Sequence, residues 1–130
     1  MSDTHDLYSH LSRHWVDKQK AFMTTREGRV WTYSDIEKGS ARIANALVEA
    51  GIKPGDRVAV QTDKSPEAIL LYLGCLRAGA IYLPLNTAYK LAELEYFFTD
   101  AEPTVVVVRP KAHDEIAPLA KRLGVKHCLT

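Results

Sequence analysis

Val105 to Val108 are consecutive β-branched residues, and they break the apolar/polar alternation of a strand that has one wet face. Such a run predicts a strand covered on both sides, as in a parallel sheet flanked by crossover helices. The flanks agree. Leu91, Leu94 and Phe98 recur at helical spacing before the run, with Pro103 forbidding continuation, and Ile116, Leu119, Ala120 and Leu123 recur after it. Upstream, Val58 to Val60 and Ile81 to Leu83 read as short strands. Between them lies a helix carrying Ile69, Leu70, Leu73 and Leu76, capped by Ser65, started by Pro66 and ended by Gly79. After Gly124, the segment VKHCLT reads as a final strand. Thr32 and Asp35 form a capping-box pair before Ile36, Ile43, Ala44 and Leu47, and Gly51 stops that helix. AFMTTREGRVWTY predicts a hairpin about Arg26, Glu27 and Gly28, with Gly28 supplying the positive φ. Leu7, Leu11 and either His14 or Trp15 predict a short amphipathic N-terminal helix. The expected fold is therefore α/β: an open, mainly parallel sheet with right-handed crossover helices, plus a short N-terminal helix and a β-hairpin, in a single unit over residues 1–130.

Composition narrows the function classes. A chain of 130 residues can bury a proper core as one domain. Seventeen Lys and Arg against sixteen Asp and Glu, interspersed, leave a net charge of +1 and no field to attract nucleic acid or an anionic membrane. The first ten residues are polar and acidic, unlike a secretory signal, and no apolar stretch is long enough to span a bilayer. A soluble, cytoplasmic protein is the expectation. Cys75 and Cys128 are too sparse for a disulfide framework or a CxxC metal site and read as buried thiols.

Chemistry is harder to find. Neither a GxxxxGK[ST] loop nor a GxGxxG turn occurs, and the seven glycines are scattered over turns and helix ends. His5, His10 and His14 are about one helical turn apart, but no carboxylate or thiol companion makes the spacing specific for a metal; a solvated helix face is the plainer reading. Three segments follow predicted strands and enter predicted helices, where open α/β sheets bind ligands. In TDKSPEA, Ser65 and Glu67 are more simply helix-capping residues. In PLNTAYK, Asn86, Thr87 and Tyr89 are candidates for a pocket or, more simply, for turn and cap roles. In RPKAH, Arg109 and Lys111 stand beside a helix start where two cations can hold a phosphate, or are an ordinary basic loop.

The segment from TYSDIEKGS to DAEPTVVVV resembles the opening part of the adenylate-forming superfamily: acyl-CoA synthetases, peptide-synthetase adenylation domains and luciferases. Within it, LYLGCLRAGAIYLPLNTAY followed by ELEYFFTDAEP looks most like malonyl-CoA synthetases, which also accept methylmalonate. The resemblance runs from about Phe22 onward. It implies an acid-thiol ligase that uses ATP and Mg²⁺ to join a carboxylate to AMP, then passes the acyl group to coenzyme A. It further implies that residues 1–130 are the N-terminal segment of the large domain. The phosphate loop, the nucleotide contacts, the carboxylate pocket and the C-terminal domain with its Lys lie downstream in such enzymes. The chain alone is then inactive, offers no catalytic residue, binds none of these cofactors by itself, and exposes faces that invite association.

One set of site residues carries over: in some relatives, basic residues after the strand matching Val105 to Val108 hold the 3′-phosphate of coenzyme A, which places Arg109 and Lys111 there. One departure stands out. Lys90 occupies a position where many relatives have Ser or Thr, so the helix at Leu91 lacks that cap unless Thr87 supplies it from an earlier start. The alternative is a non-enzymatic α/β module on the same scaffold, whose TDKSP and PLNTAY edges bind a ligand or partner. A complete flavodoxin-like domain unrelated to ligases is a third reading.

Overall fold

A computed structural model describes residues 7–9, 12, 21–24 and 28–130. Residues 7–9 and 12 are helical, as predicted, while Leu11, His14, Trp15 and the histidines at positions 5 and 10 lie outside the described residues. Strands β1 (Ala21–Thr24) and β2 (Val30–Thr32) form the expected antiparallel hairpin, and Gly28 adopts φ 86°. Helix α1 (Tyr33–Glu49) begins at the predicted capping box: the Asp35 N–H donates to Thr32 Oγ1 at 3.1 Å, and the Thr32 N–H donates to an Asp35 carboxylate oxygen at 2.9 Å. It ends before Gly51, which takes φ 99°.

Strand β3 (Arg57–Gln61) leads to α2 (Pro66–Ala78), β4 (Ile81–Pro84), α3 (Leu91–Ala101), β5 (Val105–Val108), α4 (Pro110–Arg122) and β6 (His127–Leu129). The last four strands form one sheet in the order β4-β3-β5-β6, parallel throughout, with Val58 opposite both Tyr82 and Val105. Pro84 ends β4, where an edge position tolerates its missing N–H.

Alternation along the buried strands separates the core into layers. Val58, Val60 and Val105 meet Leu47 of α1 and Cys75 of α2 on one face. Ala59, Val106 and Val108 meet Leu94 and Phe98 of α3 and Ile116, Leu119 and Ala120 of α4 on the other. The unbroken valine run is therefore a strand with helices on both faces, as the sequence predicts, with Val105, Val106 and Val108 buried and Val107 half-buried. Each buried valine contributes about 1.5–3 kcal/mol of transfer free energy. A third cluster, with Trp31, Ile36, Leu70, Leu73 and Leu76, docks the hairpin on α1 and α2.

Two helix details complete the fold. Helix α3 does start after Lys90, so Thr87 does not cap it; an ammonium cannot accept a hydrogen bond, and instead the Lys90 N–H donates to Glu93 Oε2 at 2.8 Å. Helix α4 continues through Pro118, which is exposed and forfeits one ladder hydrogen bond. His113 Nε2 donates to the Cys128 carbonyl at 3.0 Å, tying α4 to β6. No helix among the described residues is long and apolar enough to cross a membrane.

Candidate active-site edge

The strand order creates a crevice. From β3 the chain crosses through α2 to β4 on one side; from β5 it crosses through α4 to β6 on the other. Helices α2 and α4 pack on opposite faces of the sheet. The carboxyl ends of the adjacent strands β3 and β5 therefore flank a topological switch point, where open α/β sheets bind ligands.

Arg109 lies across this crevice. Its guanidinium is 3.8 Å from Asp63 Oδ1 in the loop after β3, and its Nη2 donates to the Thr87 carbonyl in the loop after β4 at 3.3 Å. Arg109 is thus less free than a basic loop residue, with 23% of its side chain exposed. Its Nε is buried and has no hydrogen-bond partner among the described residues. Lys111, in the first turn of α4, is exposed. That turn starts with Pro110, contains no acidic residue and has no side-chain cap, so the positive end of the helix is not neutralised locally. Arg109 and Lys111 thus flank a helix start whose first turn carries no acid of its own.

The other candidates take the simpler roles. Ser65 Oγ accepts from the Ala68 N–H at 3.1 Å, capping α2. Asn86 Oδ1 accepts from the Ala88 N–H at 2.9 Å, closing an Asx turn. Tyr89 stacks on Phe97 with ring centroids 5.0 Å apart and packs against the α3/α4 core.

Sequence reasoning missed Gln61. It closes β3 in the centre of the sheet, is 2% exposed, and its Nε2 donates to the carbonyls of Asn86 at 2.9 Å and Tyr89 at 3.3 Å. The available signal was a lone amide ending the apolar run Val58 to Val60.

Two concavities adjoin the edge. A cavity of about 300 Å³ lies between α1, α2 and the ends of β5 and β6, lined by Leu47, Thr62, Ser65, Leu71, Val107 and Leu129 among others. A broader groove of about 1040 Å³ runs between the hairpin and the start of α2. There Arg29 sits over the Trp31 ring, 3.8 Å from its centroid, and Tyr72 meets Tyr82 edge to face. Ser65 lines both, with its Oγ engaged in the α2 cap. Burial pushes the Cys75 thiol up to about 12 and raises that of Cys128, which makes both poor thiolates at neutral pH. Among the described residues, no cluster of three His, Cys, Asp or Glu side chains could hold a metal ion.

A family model described as AMP-binding enzyme matches residues 12–130. The chain belongs to the AMP-binding enzyme family. Among solved structures, this AMP-binding enzyme chain is similar to apo MatB from Rhodopseudomonas palustris, at 45% identity and a TM-score of 0.90, over 98% of this chain and 25% of that one. The ATP-bound form of the same protein matches at 45% identity and a TM-score of 0.89 with the same coverage. A feruloyl-CoA synthase from an Amycolatopsis species is 34% identical over 93 residues, 72% of this chain and 19% of that protein. The chain thus spans a quarter or less of the length of these relatives.

Proposed function

We propose that this chain is the N-terminal α/β segment of the large domain of a cytoplasmic, ATP-dependent acid:CoA ligase of the malonyl-CoA synthetase type. The observation that carries the reading is the 45% identity to MatB across 98% of the chain. In this reading one carboxylate of malonate or methylmalonate attacks the α-phosphorus of ATP and pyrophosphate leaves. The thiol of coenzyme A then attacks the acyl carbon, AMP departs with the bond electrons, and the thiol proton is released. Mg²⁺, the nucleotide and the acid are held by the remainder of the large domain and by the C-terminal domain, so the isolated chain is inactive.

What these residues contribute is a phosphate contact at the switch point. Arg109 and Lys111 hold the 3′-phosphate of coenzyme A, a role supported by their placement at the acid-free first turn of α4 and by the exposure of Lys111.

The test uses the ligase that contains this segment. Malonate-dependent pyrophosphate release is expected from it and not from residues 1–130 alone. Arg109→Ala combined with Lys111→Ala should raise the coenzyme A KM by about tenfold or more while the ATP KM stays constant. Absence of malonate-dependent release would sink the substrate assignment, and an unchanged coenzyme A KM would sink the phosphate contact.

A further inference from the structure

The loop after β4 is fixed by backbone hydrogen bonds, by its own Asn86 and by Gln61, which reaches it from β3. Leu85 N–H donates to the Val60 carbonyl at 2.7 Å, Tyr89 N–H to the Asn86 carbonyl at 3.1 Å, and Ala88 N–H to Asn86 Oδ1 at 2.9 Å. Gln61 then clamps the carbonyls at both ends of the turn, those of Asn86 and Tyr89, with a single amide nitrogen. Because both partners are carbonyls, the nitrogen of the amide must face them. Thr87 lies between those clamped positions, and its own carbonyl accepts from Arg109 Nη2. Gln61 also pairs with Val108 in the β3–β5 ladder, one residue before Arg109.

We infer that Gln61 is a positioning residue: through the Thr87 carbonyl that its amide holds in place, it sets the direction of the Arg109 guanidinium across the crevice. The inference rests on the reading of Arg109 as a coenzyme A phosphate contact. A buried amide is costly at the end of a central strand unless its donors are used. Here both donors are spent on the loop that orients Arg109, and an apolar side chain of similar length would fill the space without holding that loop.

The test compares Gln61→Met, Gln61→Asn, Arg109→Ala and the double variant Gln61→Met with Arg109→Ala, in the ligase that contains the segment. Thermal melts identify the Gln61 variant that stays folded, and amide exchange at Ala88 and Tyr89 reports the loop. Expected for that variant are faster exchange at both amides, a coenzyme A KM raised about tenfold, and ATP and acid KM values unchanged. The double variant should be no worse than Arg109→Ala alone, because a residue acting through Arg109 has nothing left to position. If Arg109→Ala raises the coenzyme A KM and the Gln61 variant does not, or if the effects multiply, the positioning role is overturned. If Arg109→Ala leaves that KM unchanged, the phosphate reading fails first and the Gln61 role fails with it.

Discussion

Helices α1 and α2 approach closely because glycine stands where they cross. A Cβ on Gly74 would lie 2.5 Å from Ile43 Cγ2 and 2.8 Å from Ile43 Cβ, with the Ala44 backbone nitrogen at 3.3 Å. A β-branched side chain stiff at χ1 and a helix backbone cannot yield there without separating the helices. On Gly39 a Cβ would meet the two methyl groups of Leu70 at 2.9 Å, the far end of a flexible side chain. Gly74→Ala should therefore cost about 1–3 kcal/mol. Gly39→Ala should be near neutral, because better helix propensity, about 1 kcal/mol, offsets the local shift. Denaturant midpoints decide it, and equal losses at both positions would refute the close-approach account. Neither glycine declares this role in the sequence, where both sit inside helical patterns that would accept alanine.

Helix α1 holds the edge of the α1/α2 layer by its N-terminal box, which makes its stability depend on acid. The hydrogen bond from the Thr32 backbone N–H, helped by the charges of Arg29 and Lys38, holds the Asp35 carboxyl below its ordinary value of 3.8. The folded chain then gives up this proton more readily than the unfolded chain. The stabilisation is complete above pH 3.8 and is lost as the pH falls through the depressed folded value. Asp35→Asn keeps an oxygen to accept from Thr32 but cannot titrate. Its melting temperature should fall less than that of the parent between pH 5 and pH 3, a range bracketing the ordinary carboxylate value. Parallel slopes would show that Asp35 is not coupled to folding. This box was legible as Thr32 and Asp35 three apart before an apolar face, whereas the Glu93 contact that replaces a cap at Lys90 was not anticipated.

Beyond single helices, the molecule leaves apolar groups on the outside of a well-packed sheet. Ile81 on the edge strand β4 is 39% exposed, Leu129 on the opposite edge 41%, and Tyr96 on α3 71%. Both sheet edges are short, of four and three residues, so their unpaired backbone groups are few but not covered by charge. The chain on its own is expected to associate, seen as light scattering that rises with concentration, and Ile81→Lys should reduce it by placing a charge on the β4 edge. A monomer at all concentrations would show that these faces need no cover.

The elements themselves follow from local rules written in the residues. Thr32, Ser65, Pro66, Gly79 and Pro103 punctuate the chain, and the valine run at Val105 to Val108 announces a parallel sheet with two covered faces. Local signals act over a few residues, so they fix element type and ends. They do not fix which strands lie side by side. Only the tertiary structure set the order β4-β3-β5-β6, and with it the crevice between β3 and β5. That order brings Asp63, Thr87 and Arg109 together across forty-six residues, and turns Gln61 from an odd amide in an apolar strand into the clamp on the loop that carries Thr87. Contacts so far apart in sequence depend on how the sheet is threaded, and no local pattern encodes threading.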